Sequence, residues 1–364
     1  MGDPHGIGVI GLGNISRAYF TTLAGIGGAK IVAVADLDVE RAAMAASETG
    51  SVAMTPQELV ADPRVQTVLN LTIPAAHAEI AQLAIAHGKD VYGEKPLAAT
   101  LDEARSVLAA AAAAGTRVGA APDTVLGAGI QTARAAVDSG LIGRPASATA
   151  TWVSAGHERW HPHPDFYYRA GGGPLFDMGP YYLTALVQVL GPIVSVSGAS
   201  SRAHDERMIG SGPRAGERIP VEVDTHVSGT LEHASGAIST VTMSFDAVRT
   251  TAAPLEVHGE LGSLALPDPN NFDGQTRLWR TDDGEPEVLP YSAGYADGGR
   301  GVGLLEFIRS GPAEARASGA LGFHVLEVMH AILDSAHTGE RRTITSAAER
   351  PELVPLTAAV DWRR

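Results

Sequence analysis

Ile7-Gly-Val-Ile-Gly-Leu-Gly-Asn-Ile-Ser16 joins a short apolar strand to the first turn of a helix through a Gly-x-Gly loop. Gly11 permits the tight turn, and Gly13 lets the backbone approach a pyrophosphate, which the free N–H groups of a helix N-terminus bind well. Ser16 takes the third position, where glycine or alanine is usual. The residues expected to contact a dinucleotide here are Gly11, Gly13, Asn14 and Ile15.

Asp36 ends the next predicted strand, 20 residues after Ser16. At this spacing a carboxylate accepts hydrogen bonds from the ribose of a bound adenosine, and it repels a 2′-phosphate. The sequence therefore favours NAD over NADP. Arg41 follows one helical turn later. Its guanidinium either receives a 2′-phosphate or pairs with Asp36, and we expect the pairing.

The alternation of strands and helices through the first 120 residues predicts a doubly wound parallel sheet of the Rossmann type. After about residue 145, strand-like segments follow one another with few helices, which is typical of an antiparallel sheet. The predicted fold class is α/β. A Rossmann domain spans residues 1–122, and an α+β domain with a large, mainly antiparallel open sheet spans residues 123–364. We expect the C-terminal segment to pack back on the Rossmann domain.

The predicted elements have the following bounds. In the first domain, strands are predicted at 7–10, 31–35, 65–73, 90–92 and 117–120, with helices at 15–26, 38–48, 75–87 and 101–114. In the second, strands are predicted at 146–155, 193–201, 222–232, 237–247, 255–257 and 276–280, with helices at 174–190 and 319–337. Residues 121–124 are expected to link the two domains, and the alternative is that they border the site.

The composition excludes several kinds of protein. The 364 residues contain no cysteine, which rules out disulfide frameworks, thiol nucleophiles and cysteine-ligated metal sites. A formal net charge of −14 disfavours a nucleic-acid partner, because such binding gains most from neutralising phosphates. Apolar runs stay below the roughly 18 residues of a membrane helix. We expect a cytoplasmic protein that binds neither nucleic acid nor membrane.

Several further motifs resemble those of the Gfo/Idh/MocA oxidoreductase family. They are Thr72-Ile-Pro74-x-x-His77, Gly93-Glu94-Lys95-Pro96, Gly171-Gly-Gly-Pro-Leu-Phe-Asp177-Met-Gly-Pro-Tyr181 and Leu326-Glu-Val-Met329. Their order and spacing match that family over essentially the whole chain. The resemblance implies an N-terminal NAD(P) domain and a C-terminal sheet domain that is often used for oligomer contacts. It also implies substrates that are mostly sugars, polyols or related cyclic alcohols.

Lys95 stands at the carboxyl end of a predicted parallel strand, in the crevice where doubly wound folds bind ligands. Its ammonium can hold a substrate hydroxyl, stabilise an alkoxide and lower the pKa of a neighbouring acid–base group. Only Lys30, Lys89 and Lys95 are lysines, which strengthens the assignment. Glu94 is expected to support Lys95 or the local backbone, and the resemblance implies a cis peptide before Pro96.

The remaining contacts to the cofactor are expected from the loops that follow two central strands. These residues are Thr72, Pro74, His77, Glu94 and Lys95. His77, at the head of a helix, either lines the nicotinamide pocket or serves as a cap or surface residue.

Asp177 and Tyr181 are spaced i to i+4 at the start of a predicted helix, so their side chains lie on one face. Many members of the family have histidine where this chain has Tyr181, and others have tyrosine. The resemblance implies that Tyr181 handles the proton and that Asp177 orients the substrate ring. A phenol needs a nearby positive charge to act as a base near neutral pH. An alternative for Tyr181 is packing beside Tyr182.

The loop at 156–169 concentrates polar and aromatic residues between prolines. Loops over a rigid scaffold often carry binding groups. The expected substrate contacts are His157, Trp160, His161, Asp165 and Tyr168, together with Lys95, Asp177 and Tyr181. The alternatives are a metal site, which we do not expect, and an ordinary surface loop or subunit contact.

Together these residues predict an NAD-dependent oxidoreductase. It would transfer a hydride between nicotinamide and a secondary alcohol or ketone carbon of a sugar, polyol or cyclitol, with Lys95, Asp177 and Tyr181 as its catalytic residues. Two alternatives stay open: a redox-assisted glycoside-cleaving enzyme with tightly bound NAD, and a non-catalytic NAD-binding regulatory protein. We expect a homodimer or homotetramer formed through the C-terminal sheet.

Overall fold

The computed structural model describes residues 3–281, 284–311 and 315–364, and the chain divides into two units. The first unit contains the residues up to Ala128 together with Ala293–Phe323 and Val354–Arg364. The second contains Gly129–Ser292 and His324–Leu353. Each unit is therefore assembled from segments that are distant in the sequence.

The first unit contains a parallel sheet of six strands. These are β1 (His5–Ile10), β2 (Ala29–Ala35), β3 (Val52–Ala53), β4 (Thr67–Asn70), β5 (Asp90–Gly93) and β6 (Val118–Ala120). Their order is β3-β2-β1-β4-β5-β6, so β1 lies between β2 and β4 at the point where the strand order reverses. This order confirms the predicted Rossmann fold. The sequence prediction missed β3, which has only two residues, both of them exposed.

Five helices connect these strands. They are α1 (Ser16–Leu23), α2 (Val39–Thr49), α3 (Pro56–Ala61), α4 (His77–Ala86) and α5 (Leu101–Ala114). The side chains of Asp38 and Thr100 cap α2 and α5 at their N-termini. By contrast, the N-cap residue of α1, Ile15, supplies no side-chain cap, and the first turn of α1 has no acidic residue. Its N-terminal N–H groups are thus suited to an anion.

The second unit contains the helices α6 (Ala128–Asp138) and α7 (Pro174–Leu190). Only the first residue of α6, Ala128, belongs to the first unit. The predicted helix at 174–190 agrees with α7, whereas the sequence analysis missed α6. α7 is apolar on almost every side and is nearly all buried, because it packs on the strands of the large sheet. Asp177 lies in its first turn.

A mixed sheet of nine strands forms the core of the second unit. Its strands are β7 (Pro145–Val153), β8 (Ile193–Ser201), β11 (His226–His233), β12 (Ile238–Ser244), β13 (Leu255–Gly259), β14 (Gly262–Leu266), β15 (Arg277–Arg280), β16 (Glu287–Val288) and β17 (Arg342–Thr343). A separate pair is formed by β9 (Glu206–Met208) and β10 (Arg218–Pro220). The order is β16-β15-β14-β13-β7-β12-β11-β8-β17. All neighbours are antiparallel except β7 and β12, which confirms the mainly antiparallel sheet.

The strand predicted from residue 222 begins only at His226. The Glu222 N–H donates to Tyr168 O at 2.8 Å instead of to a neighbouring strand. The strand-like sequence therefore begins before the strand of the sheet does. The strand β14 was not predicted; it follows β13 after a two-residue turn.

The last helices are α8 (Val302–Arg309), α9 (Gly319–Thr338) and α10 (Ala359–Trp362). In the first unit, β6 is an edge strand that later residues cover. Ala120 N–H donates to Ala317 O at 3.0 Å, and the Arg117 guanidinium lies 4.3 Å from the ring centre of Phe307. Within the described ranges, none of the helices has the length and apolar character that a membrane crossing requires.

Candidate active-site residues

The loop between β1 and α1 has the geometry of a dinucleotide cradle. Gly11 has a φ of 92°, and a Cβ at this position would lie 2.6 Å from the Thr72 nitrogen, so only glycine fits. A Cβ on Gly13 would meet nothing within 4 Å, which leaves open space beside this backbone. Ser16 Oγ donates to Gly13 O at 2.8 Å and closes the turn. This open space, next to the uncapped α1 N-terminus, fits a pyrophosphate.

Asp36 directly follows β2 and is fixed by its own chain. Its Oδ2 accepts the Leu12 N–H at 2.7 Å, and its Oδ1 accepts the Asp38 N–H at 2.9 Å. Arg41 Nη1 lies 3.4 Å from Asp36 Oδ1, and Nη2 lies 3.1 Å from Asp38 Oδ2. The expected pairing of Arg41 with Asp36 is confirmed, and Asp38 is a second carboxylate partner that the sequence analysis did not identify.

Asn70, which the sequence analysis also did not identify, organises the loop after β4. Its Nδ2 donates to His77 O at 2.9 Å, and its Oδ1 accepts the Thr72 hydroxyl at 2.7 Å. The buried His77 ring has Nδ1 2.6 Å from Pro96 O and Nε2 2.9 Å from Thr72 O. Burial lowers the pKa of His77. His77 thus connects the Thr72 loop, where Pro74 opens a short 3₁₀ turn, to the Lys95–Pro96 turn.

The Glu94-Lys95-Pro96 turn follows β5 at the same edge of the sheet as Asp36 and the glycine loop. Glu94 is buried, and its Oε2 accepts the backbone N–H of Lys95 at 3.0 Å. Glu94 therefore supports the Lys95 backbone, as expected, and the Lys95–Pro96 peptide is cis. Of the other lysines, Lys30 is exposed, and Lys89 donates to two loop carbonyls.

Two buried groups of the first unit were not among the predicted catalytic or binding residues. Tyr19 on α1 is fully buried, and burial raises its pKa, so its hydroxyl donates to Glu94 Oε1 at 2.9 Å. Asp123, which was assigned to a linker, is also buried. Its Oδ2 accepts the N–H groups of Gly301 and Gly303 at 2.7 and 3.0 Å. An aromatic hydroxyl on the buried face of the first helix is the signal that points to Tyr19.

In the second unit, Asp177 is bonded to a histidine from the 156–169 loop. His157 Nε2 lies 2.8 Å from Asp177 Oδ2, and Trp160 Nε1 lies 3.2 Å from His157 Nδ1. His157 was predicted to contact substrate directly. The structure buries His157, and both ring nitrogens have partners in the protein.

Tyr181 lies one helical turn after Asp177 and is largely buried. The neighbouring Tyr182 has a separate role, because its hydroxyl donates to Asp268 Oδ1 at 3.2 Å. Burial raises the pKa of Tyr182. Tyr182 is thus committed to a structural contact, and Asp177 and Tyr181 share one face of α7.

Two residues that were predicted to bind substrate are used structurally. Tyr168 is fully buried in an apolar cluster with Phe245, and its hydroxyl donates to Glu158, so it has no surface for a ligand. Asp165 accepts two hydrogen bonds from Arg214, at 2.6 and 3.1 Å. The Arg214 guanidinium holds the pKa of Asp165 below its usual range. The partner Arg214 is 49 residues away in the sequence, so no local pattern indicated the pair.

The exposed side of this loop is aromatic. Trp160 is 58% exposed, and Phe166, which the sequence analysis did not identify, is 52% exposed. The His161 ring lies between them, with ring centres 5.4 Å from Trp160 and 5.5 Å from Phe166. Burial lowers the pKa of His161. Within the described ranges, no group of three or more His, Cys, Asp or Glu side chains is placed to hold a metal ion.

Comparison with known proteins relates both halves of the chain to one family. Residues 5–121 match the oxidoreductase family with an NAD-binding Rossmann fold (GFO/IDH/MocA), and residues 130–265 match the GFO/IDH/MocA C-terminal domain. The 1,5-anhydro-D-fructose reductase of Ensifer adhaerens is 31% identical over 265 residues, which are 71% of this chain and 74% of that protein. The inositol 2-dehydrogenase of Ralstonia nicotianae is 38% identical over 144 residues, which are 38% of this chain and 43% of that protein.

Solved structures share the fold over nearly the whole chain. An NAD binding oxidoreductase from Klebsiella pneumoniae has a TM-score of 0.82 at 23% identity, covering 94% of this chain and all of its own. Levoglucosan dehydrogenase in complex with NADH and L-sorbose has a TM-score of 0.79 at 22% identity, covering 94% of this chain and 99% of its own. The two domain matches and the alignment with the reductase show the common descent. The chain belongs to the GFO/IDH/MocA family of oxidoreductases.

Proposed function

We propose that this protein is an NAD-dependent oxidoreductase that transfers a hydride between nicotinamide and a secondary alcohol or ketone carbon of a sugar, polyol or cyclitol. The observation that carries the proposal is the arrangement of the first unit. The glycine loop, Asp36 and Lys95 follow β1, β2 and β5, at one edge of one parallel sheet. Doubly wound sheets bind their ligands at this edge. The names of the two aligned relatives, a reductase and an inositol dehydrogenase, support the substrate class.

The first unit fits NAD. The Gly13 backbone and the α1 N-terminus are suited to the pyrophosphate, and Asp36 is suited to the adenosine ribose. Arg41 already pairs with two carboxylates, which favours NAD over NADP. Bound NAD supplies the two-electron acceptor or donor. The other proposed cofactor contacts are Gly11, Asn14, Ile15, Thr72, Pro74, His77 and Glu94.

Lys95, Tyr181 and Asp177 are the proposed catalytic residues. The Lys95 ammonium holds the reacting oxygen and stabilises its negative charge as the carbon–hydrogen bond breaks. The Tyr181 hydroxyl exchanges the proton of that oxygen. Asp177 accepts a hydrogen bond from a ring hydroxyl of the substrate and so fixes its orientation.

The exposed aromatic surface of the second unit supports a cyclic substrate. Trp160 and Phe166 present exposed aromatic rings, and Trp160 is linked through His157 to the carboxylate of Asp177. An apolar face beside a few polar groups is the usual composition of a small-molecule site. A sugar or cyclitol ring has both an apolar C–H face and hydroxyl groups, whereas an open-chain polyol has no fixed face to stack.

The test is NADH formation by the purified protein across a panel of pyranoses, anhydrosugars, inositols and open-chain polyols. We expect turnover with at least one cyclic alcohol and a preference for NAD over NADP. Tight NAD binding without turnover of any panel member would contradict the proposal. Sugar release from a glycoside without net NADH would instead indicate redox-assisted glycoside cleavage.

Lys95→Ala tests the central residue. We expect it to lower kcat by roughly a hundredfold or more, because a positioned acid–base group contributes about that much. The dissociation constant for NAD should stay within a few-fold, since the cofactor contacts of the glycine loop and Asp36 are retained. Lys30→Ala, at the exposed lysine of β2, is the matched control and should retain full turnover. Turnover by Lys95→Ala at the wild-type rate would exclude Lys95 from catalysis.

We further infer a homodimer or homotetramer that forms through the large sheet. A row of partly or fully exposed hydroxyl side chains crosses β7, β12 and β11, where Thr149 pairs with Thr240 and Thr240 pairs with Thr230. Small side chains in a flat row suit packing against a second copy of the same sheet. Light scattering of the purified protein measures the subunit count.

A cytoplasmic location is a prediction that cell fractionation tests.

A further inference from the structure

A hydrogen-bonded chain of three side chains runs from an exposed indole to a carboxylate in the second unit. Trp160 Nε1 lies 3.2 Å from His157 Nδ1, and His157 Nε2 lies 2.8 Å from Asp177 Oδ2. The three residues come from a 3₁₀ turn (His157–Arg159), the residue after it, and the first turn of α7. The chain is thus a tertiary contact between a loop and a helix.

The indole and the carboxylate impose the same tautomer on His157. An indole N–H is a donor only, so the Nδ1 that faces Trp160 must accept. The proton of a neutral ring is then on Nε2, where it is donated to Asp177. Both ends of the imidazole are therefore committed, and Asp177 receives a directed hydrogen bond.

Aromatic neighbours fix the orientation of the His157 ring. Its centre lies 4.5 Å from that of Tyr167, 4.8 Å from that of Phe245 and 5.7 Å from that of Trp152. The ring is itself buried, whereas the Trp160 ring is more than half exposed. The imidazole cannot rotate without displacing these rings, so the Nε2–H keeps its direction toward Asp177.

We propose that His157 and Trp160 are positioning residues that hold the Asp177 carboxylate in one orientation for substrate binding. This proposal rests on the proposed function, in which Asp177 orients the substrate ring. His157 acts on the substrate only through Asp177, and Trp160 acts through His157. The exposed face of Trp160 can contact the same substrate ring, so stacking on the indole and hydrogen bonding to Asp177 are coupled through His157.

Three variants separate this role from simple packing. His157→Leu removes the donor to Asp177, whereas His157→Gln keeps an N–H near the position of Nε2. Trp160→Phe keeps an aromatic ring but removes the N–H that His157 Nδ1 accepts. His163→Leu is the control, because His163 lies exposed on the same loop.

We expect His157→Leu to lower kcat/KM by roughly tenfold or more, because small displacements of an orienting group are costly in catalysis. His157→Gln should recover most of this loss, and His163→Leu should match the wild type. Thermal melts of all variants verify that each is folded. A His157→Leu enzyme within twofold of wild type, or a Gln variant no better than the Leu variant, would overturn the proposal.

The tautomer supplies a readout that does not depend on turnover. Nitrogen-15 NMR of the histidine rings at about pH 8, above the usual pKa of imidazole, should show His157 protonated on Nε2. In Trp160→Phe the proton should stay on Nε2, because the Asp177 carboxylate still accepts it, but the resonance of the unprotonated Nδ1 should move because that nitrogen loses its donor. An Nδ1–H ring in the wild type, or an unchanged Nδ1 resonance in Trp160→Phe, refutes the positioning chain. If the wild type shows the expected spectrum but turns over no panel substrate, the proposed function fails and the role in substrate binding fails with it.

Discussion

Tyr19 and Tyr92 are two fully buried tyrosines of the first unit, and their hydroxyl groups have different surroundings. The Tyr19 hydroxyl donates to the buried Glu94 carboxylate at 2.9 Å. The Tyr92 hydroxyl is enclosed without a hydrogen-bond partner among the described residues. A buried carboxylate that loses a donor is destabilised, whereas removal of an unpaired hydroxyl costs little.

We therefore expect Tyr19→Phe to lower the free energy of unfolding of the first unit by about 1.5–3 kcal/mol. Tyr92→Phe, which removes the same atom from the same type of residue, should leave it unchanged or raise it, because it removes a buried hydroxyl that has no partner among the described residues. Urea denaturation, followed on the transition that NAD shifts to higher denaturant, measures both values. Equal losses in the two variants would show that the bond to Glu94 contributes nothing specific.

Individual site residues were predictable where the local sequence determines the backbone, and not where a distant partner decides. The glycine loop and Asp36 are determined by a strand, a turn and a spacing, all within one short segment. Asp165 pairs with Arg214, and Tyr168 is buried by Glu158 and the apolar cluster, so both have distant partners that the local sequence does not reveal. A polar or aromatic residue in a loop is compatible with either role until its neighbours in space are known.

Asp123 shows how an element depends on a single distant carboxylate. Its Oδ2 accepts two N–H groups at the beginning of α8, from Gly301 and Gly303. Complete burial raises the pKa of Asp123 from 3.8 to about 6, although the two hydrogen bonds oppose the shift. Between these values the folded protein keeps a proton that the unfolded chain has released. Stability due to this group therefore falls as pH rises from about 4 to 6 and stays lower above that range.

Asp123→Asn should remove this pH dependence while keeping an oxygen for the α8 N–H groups. We expect the difference in unfolding free energy, variant minus wild type, to grow by at most about 3 kcal/mol between pH 4 and 6 and then to level off. Asp123→Ala lacks the acceptor and should be destabilised relative to Asn at every pH. Thermal melts of the three proteins across this pH range decide the point. A difference that does not vary with pH would mean that Asp123 is ionised throughout.

The elements themselves were predictable to the extent that their burial pattern is regular. The helix predicted at 174–190 agrees with α7, which is apolar and buried along almost its whole length. By contrast, α3 and α8 have six and eight residues, and β3 has two, so each is too short for a period to be recognised. The capping box of Thr55 and Glu58, with Pro56 at the first helical position, was the local signal for α3.

At the scale of the whole molecule, the first unit is completed by the last residues of the chain. Trp362 is buried, its Nε1 donates to Ala296 O at 2.9 Å, and its carbonyl accepts from Arg309 Nη1 at 2.6 Å. The Gly27 N–H donates to Arg363 O at 3.1 Å, next to the end of α1. The dinucleotide-binding half of the chain is therefore not defined by the N-terminal sequence alone.

Trp362→Ala tests this dependence. The loss of a buried tryptophan ring should destabilise the first unit by about 3–5 kcal/mol, although Trp362 is more than 300 residues away from the glycine loop in sequence. Val360→Ala, at a residue of the same short helix that is 59% exposed, is the matched control and should change stability by less than ~0.5 kcal/mol. Calorimetry with and without NAD identifies the transition of the first unit, because only that transition should rise with the cofactor. If Trp362→Ala and Val360→Ala melt alike, the C-terminal segment lies on the first unit without stabilising it, and the Rossmann sheet is stable without this last segment.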